Sequence, residues 1–502
     1  MNETTETTKN QRSAGILLPL FSLPSAHGAG CFSAEAYGFI DRLAQAGQRF
    51  WQILPIGPAG LADSPYQPLS SFAFDPLYID LSRLAAEGLL HEDELHAMPW
   101  GTDPARIDYA AVRGGRAHLL PLAFQRYQRD PWIGRFEEEN AAWLEDYALF
   151  MALRDHFGPA IPWCAWPAAI RDRQPEAMAH WQQTLSDEIA FHRWTQYECS
   201  REWEGIHGYA KEKGIAIIGD LPFYVSYDSA DCWAHPDLFL LDDQRRPSRV
   251  AGVPPDAFSA CGQLWGNPVY DWEALSDTDY AWWTARVHRL ASHFDVLRID
   301  HFRGLAAFYS CPSDAEDACG GTWTTGPGLP FLARMQQEAG STRFIAEDLG
   351  FLTPDVHRLR RDAGIPGLKV LQFAFDGDSS NAYLPHNYDS DCVVYTGTHD
   401  NNTSRGWFRT CGSTERSQFC RYAAITADRE EAAAPAMIRL AQGSVAKTCI
   451  IPMQDYLNLD ENARCNTPST IEGNWCWRML PGACTESLAA EIRKITALYG
   501  RL

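Results

Sequence analysis

Short apolar runs that end in polar or acidic residues recur along the chain, and most are separated by stretches of helical periodicity. Gly15-Ile-Leu-Leu-Pro-Leu20 and Phe50-Trp-Gln-Ile-Leu54 predict the first two strands, with a helix from about Glu35 to Ala46 between them. Lys213-Gly-Ile-Ala-Ile-Ile-Gly-Asp220 predicts a third, Phe294 to Ile299 a fourth, and Thr342-Arg-Phe-Ile-Ala-Glu347 a fifth. Leu368 to Phe373, Cys392 to Thr396 and Lys447 to Met453 complete eight, and Trp282 to Phe294 supplies a helix before the fourth. Alternating β and α segments of this kind mark the α/β class with a parallel sheet. Eight units favour a closed (β/α)8 TIM barrel of about 250 residues, the surplus lying in large, mainly helical and loop insertions. A doubly wound open sheet is the alternative. Gly28-Ala-Gly30 offers only a fragment of its glycine fingerprint, because the third glycine position is Ser33.

Two insertions are legible. From about residue 81 to 200 the pattern turns helical, with Trp143, Tyr147, Phe150, Met151 and Phe157, then Phe191, Trp194 and Tyr197, at helix spacing. These stripes are read as packing. After Asp220 comes an aromatic- and proline-rich excursion of roughly seventy residues, far longer than a usual βα loop. Its part from about 221 to 275 is read as a functional loop, containing Val253-Pro-Pro-Asp256-Ala-Phe258 and Gln263-Leu-Trp265-Gly-Asn-Pro268. Asp63-Ser-Pro-Tyr66-Gln-Pro68 is a second candidate, since two prolines stiffen a loop that carries acid, phenol and amide groups. Residues 1–14 are Thr- and Glu-rich at their start and expected to be disordered, leaving 15–502 as one domain.

Composition narrows the partners. Among 502 residues, a net charge of −21 argues against nucleic acid or an anionic membrane surface and suits a neutral ligand. Eighteen tryptophans and 19 tyrosines offer amphipathic faces beyond what a core requires, suited to flat apolar surfaces such as those of sugar rings. Met1 to Gln11 has no apolar core of a signal peptide or anchor, and the 14 cysteines show no C-x-x-C spacing. A reducing cytoplasm is the expected compartment.

The chemistry concentrates at strand ends. Strands four, five and seven lead to Asp300, Glu347 and Asp400, and the tips of a barrel converge. Arg298 and Asp300 share a strand face; alone they read as a structural ion pair. Three acids at such tips, with Arg298 and His399 beside them, are costly unless used. Asp300, held ionised by Arg298, is the candidate nucleophile. Glu347, raised in pKa by neighbouring anions, is the candidate acid/base, and Asp400 with His399 can support positive charge on a sugar ring. A nucleophile and an acid/base about 5–5.5 Å apart give retention through a covalent glycosyl-enzyme. A Mg²⁺ or Ca²⁺ site is the rival use of three acids. His301 is expected to turn to the opposite side as a structural residue.

Ile218-Gly-Asp220, Val296-Leu-Arg-Ile-Asp300-His, Ile345-Ala-Glu347-Asp-Leu-Gly and Thr398-His399-Asp400-Asn resemble the four ordered signature regions of the α-amylase clan. Asp63-Ser-Pro-Tyr-Gln, Gly252-Val-Pro-Pro-Asp, Gly262-Gln-Leu-Trp-Gly-Asn-Pro and Ile299-Asp-His-Phe-Arg-Gly are similar to blocks of glycoside hydrolase family 77, the 4-α-glucanotransferases, from about Gly15 to Trp477. The resemblance implies a single catalytic domain of the bacterial and plastid form, with Asp300 as nucleophile, Glu347 as acid/base and Asp400 as transition-state stabiliser. It implies donor-sugar contacts at Tyr66, Asp220, Arg298 and His399. It also implies an acceptor-side loop with Asp256 and Phe258, and beyond it Gln263 and Trp265. Substrates would be maltooligosaccharides and α-1,4-glucans, with no cofactor, no metal and no calcium dependence. One departure is Cys465 in Ala463-Arg-Cys-Asn, where the family usually has methionine. An α-amylase-like hydrolase with the same carboxylates, and a carbohydrate-binding protein on a decayed barrel, are the other functions weighed. The second would require a missing acid, and all three are present.

Overall fold

Each of the eight apolar runs forms a strand in the computed structural model, which describes residues 12–255, 259–427 and 429–502. In chain order the strands are β1 (Ser13–Leu17), β2 (Phe50–Gln52), β3 (Ala216–Leu221), β4 (Arg249–Val253), β5 (Gln263–Pro268) and β6 (Val296–Ile299). They continue as β7 (Ala307–Pro312), β8 (Thr322–Thr325), β9 (Arg343–Ala346), β10 (Gly367–Val370), β11 (Cys392–Tyr395) and β12 (Thr448–Pro452). β1, β2, β3, β6, β9, β10, β11 and β12 close into an all-parallel barrel in chain order, β12 pairing back onto β1. Closure rules out the open doubly wound sheet.

Side-chain alternation sets what fills the barrel. Phe50, Ile218, Val296, Ile345, Leu368 and Ile450, each from a different strand, belong to one apolar cluster. Two residues further along β2, β3 and β6, and just past the end of β9, the same inward face carries Gln52, Asp220, Arg298 and Glu347. A dry layer thus lies beneath a polar one. The outward faces pack under helices such as Ala34–Gln45, which buries Ala36, Phe39, Ile40 and Leu43 along one stripe.

The segment between β2 and β3 is helical, dominated by Pro131–Phe157 and Ser186–Glu212, which pack on each other. Tyr147, Phe150 and Trp194 of the aromatic stripes are completely buried there. The last helix continues to Glu212, beyond the expected end near 200, and feeds straight into β3.

The stretch from 221 to 275 corrects the loop expectation. β4 and β5 lie within it and join β7 and β8 in a four-stranded antiparallel sheet, order β5-β4-β7-β8. β6 leads through the turn Phe302–Leu305 directly into β7, so this sheet is fastened to the strand that carries Arg298. The first strand likewise begins at Ser13, two residues inside the segment expected to be disordered.

Candidate active site

The polar layer gathers around Arg298. β3 and β6 pair in a register that sets Asp220 opposite Arg298. The Arg298 guanidinium, 4% exposed, reaches Asp220 Oδ2 at 2.6 Å and Asp300 Oδ1 at 3.0 Å through one nitrogen. Tyr66 Oη donates to the same Asp220 oxygen at 2.8 Å, and its ring stacks on His399 with centroids 5.2 Å apart. The Asp63–Pro68 loop and the β11 tip therefore meet above β3. His399 Nε2 lies 3.3 Å from Asp400 Oδ2. Asp220 Oδ1 and His399 Nδ1 are buried with no hydrogen-bond partner among the described residues, two oriented groups available to a ligand.

Glu347 stands at the tip of β9, beside β6. Its Oε2 accepts the His301 N–H at 2.7 Å and its Oε1 accepts the Leu349 N–H at 3.2 Å. Alternation sends its neighbour Asp348 the other way, where it accepts the Leu368 N–H and faces Arg360. Of two adjacent acids only one enters the mouth.

Burial raises Glu347 to about 8, with the Asp300 charge adding to the rise and Arg298 opposing it. The expected cause, neighbouring anions, is thus secondary to desolvation. Asp300 corrects the expectation more sharply. Burial lifts it to about 6, and Arg298, although in contact, does not cancel that rise. The stronger claim on the arginine is that of Asp220, which is nearer and completely buried. Asp300 still ionises below neutrality and Glu347 above it. For Asp400, burial pushes the carboxyl up, but His399, the Asn466 amide and Arg298 outweigh it and hold it well below the carboxylate range.

His301 is held by packing. Its backbone is left-handed at φ +48°, and its ring packs on Phe223, Tyr224 and the edge of Trp265, the last at 4.9 Å between centroids. Trp265 Nε1 donates to Gln263 Oε1 at 3.3 Å, so this pair of β5 residues lies beside the segment that carries Asp300. The residue following Asp300 thus joins Glu347, through its backbone, to Trp265, through its ring. Asp256 and Phe258 lie outside the described residues.

Sequence patterns missed Asn466, whose Nδ2 donates to Asp400 Oδ1 at 2.6 Å, and Arg464, which holds the Asp400 carbonyl at 2.6 Å. Both flank Cys465. Trp475 was missed too; it packs on Tyr66 and His399. These residues arrive on a segment after the last barrel strand, with no periodicity to announce them. Among the described residues no group of three or more His, Cys, Asp or Glu side chains is arranged to hold a metal ion, and no helix is long and apolar enough to cross a membrane.

Comparison with known proteins agrees with this geometry. A family model described as 4-alpha-glucanotransferase, glycoside hydrolase family 77, matches residues 18–484. The 4-alpha-glucanotransferase of Clostridium butyricum is 42% identical over 96% of this chain and 99% of its own, and that of Thermus thermophilus is 42% identical over 98% of this chain and 99% of its own. The structure of an amylomaltase from Streptococcus agalactiae, in complex with acarbose, superposes with a TM-score of 0.94 at 37% identity, covering 98% of this chain and all of that one. A match of this length and identity leaves one assignment: the chain belongs to glycoside hydrolase family 77, the 4-alpha-glucanotransferases.

Proposed function

We propose that the protein transfers α-1,4-glucan segments between maltooligosaccharides by a retaining double displacement. Asp300 attacks the anomeric carbon while Glu347 gives its proton to the glycosidic oxygen, and the shortened sugar leaves with a free 4-hydroxyl. Glu347, now a carboxylate, takes the proton of an incoming 4-hydroxyl, whose oxygen attacks the same carbon and releases Asp300. Asp400, kept ionised by His399 and Asn466, faces the positive charge that builds on the ring in both steps. Asp220 Oδ1 and His399 Nδ1, both unpartnered among the described residues, hold hydroxyls of the donor sugar.

The observation that carries this reading is the opposition of two half-buried acids at adjacent strand tips. Asp300 touches a cation and, among the described residues, Glu347 accepts only backbone N–H groups, so Asp300 is the acid that ionises first and Glu347 the one that keeps its proton. Transfer rather than hydrolysis is supported by Gln263 and Trp265 on the β5 edge, braced by His301, which can seat an acceptor sugar in place of water.

Incubation with maltotriose tests it. Glucose should appear together with longer oligomers, while the number of reducing ends stays constant. Reducing ends rising with only shorter products would sink transfer, and full activity in Asp300→Asn would sink the nucleophile.

A further inference from the structure

Arg303 lies in the turn that follows Asp300, yet its contacts are aromatic. Its guanidinium carbon is 3.7 Å from the centre of the Trp323 indole and 5.9 Å from that of the Phe351 ring, and its Nη1 donates to the Phe351 carbonyl. The arginine is 5% exposed, whereas Trp323 and Phe351 are 40% and 68% exposed. A buried cation therefore holds two rings whose free surfaces face solvent.

Both rings are fastened to catalytic segments. Phe351 comes four residues after Glu347 on the same loop. Trp323 stands on β8, an edge strand whose four residues are all exposed. That strand is tied back by the Gly326 N–H, which donates to the Ala306 carbonyl at 2.8 Å. A side chain at Gly326 would place Cβ 2.4 Å from the Leu305 carbonyl oxygen, so glycine permits this approach. The antiparallel sheet consequently presents Trp265 on one edge, against His301, and Trp323 on the other, against Arg303.

Isolated exposed apolar residues require no explanation. Two large rings stacked about one buried arginine at the mouth of the catalytic barrel do. We propose that Trp323 and Phe351 form an aromatic platform for glucosyl rings of an α-1,4-glucan chain, away from the bond being exchanged. The inference rests on the transferase reading for the identity of the chain. The occupant fits on two grounds. The platform is continuous with the loops that carry Asp300 and Glu347, and the Arg303 charge is covered beneath the rings and a carbonyl, so that a ligand meets the exposed amphipathic ring faces. A small donor such as maltotriose fills the positions nearest the carboxylates and gains least from it; a long chain gains most.

The test compares kcat/KM for amylose of about twenty glucosyl units with kcat/KM for maltotriose, in wild type, Trp323→Ala, Phe351→Ala and the double variant. Each ring should lower the amylose-to-maltotriose ratio by about two- to tenfold, and the double variant by more. Arg303→Lys, which keeps the charge and loses the planar stacking face, should lower it as well. In Asp300→Asn protein, amylose binding followed by tryptophan fluorescence should weaken in the same order. A ratio within twofold of wild type in the double variant overturns the platform. So does a sedimentation profile in which wild type self-associates and Trp323→Ala does not, with the ratio unchanged; the rings would then join copies of the chain. If wild type hydrolyses instead of transferring, the ratio still reads chain-length preference, so the two ideas fail separately.

Discussion

Asn466→Ala is the most informative single substitution. The amide donates to Asp400 Oδ1 at 2.6 Å, while the other carboxylate oxygen faces His399 at 3.3 Å. Removal leaves the fold's own use of this residue intact, because its backbone N–H still donates to the His399 carbonyl. What is lost is one charge-assisted hydrogen bond, which contributes about 1.5–3 kcal/mol. Asp400 is 43% exposed, so water can take over much of that bond wherever the carboxylate meets solvent. A bound sugar excludes that water, and the carboxylate must then face the developing charge unaided. The loss therefore falls on the transition state more than on binding. In rate terms it is about 10- to 150-fold in kcat, with KM changed by no more than about threefold. The assay is initial-rate glucose release from maltotriose at pH 7, paired with a thermal melt to establish that the variant is folded. A kcat within threefold of wild type would refute the claim that Asn466 holds Asp400 for catalysis.

The pH profile of kcat/KM should be bell-shaped, falling below about 6 as the Asp300 nucleophile takes up a proton and above about 8 as Glu347 loses the one it must donate; a rate still rising at pH 9 would contradict the acid assignment. Arg298→Leu should unfold more easily in urea by about 3–5 kcal/mol, because Asp220 and Asp300 are left in the mouth without their cation, and Asp220→Asn should recover part of that loss in the double variant. An unchanged urea midpoint for Arg298→Leu would mean that the pair is not structural. His301→Gly keeps the left-handed backbone and the N–H to Glu347 but removes the ring that braces Trp265. Its transfer-to-hydrolysis ratio on maltotriose should fall about threefold or more, since roughly 1 kcal/mol of aromatic contact is removed; an unaltered ratio would show that Trp265 stands without it.

The barrel was legible because its strands are buried on both faces and so read as uninterrupted apolar runs, from Phe50-Trp-Gln-Ile-Leu54 to Lys447-Thr-Cys-Ile-Ile-Pro-Met453. The antiparallel sheet was not, for the opposite reason. β8 is Thr322-Trp-Thr-Thr325, wholly exposed, and β4 contains Gly252, so neither shows the burial rhythm that marks a strand. Carboxylates at strand tips were visible one at a time, because Asp220, Asp300, Glu347 and Asp400 each follow an apolar run. Their partners were not. Asn466, Arg464 and Trp475 lie on irregular chain that reaches the site only through the fold.

The electrostatics show why geometry has to correct local pattern. An Arg-x-Asp spacing suggests an arginine devoted to its neighbour, and that would leave Asp300 an ordinary, strongly ionised carboxylate. Strand pairing instead gives Arg298 a second anion, Asp220, at 2.6 Å and completely buried. One cation shared between two carboxylates stabilises each less than a private one would, so desolvation prevails at Asp300 and its carboxyl titrates near 6. A carboxylate closer to neutrality is a better nucleophile toward an anomeric carbon while remaining ionised at pH 7. The same barrel mouth, with no cation in contact with Glu347, raises that acid further still. The separation between the two acids therefore arises from which strand lies beside which, and Asp220 shapes the site by occupying the arginine.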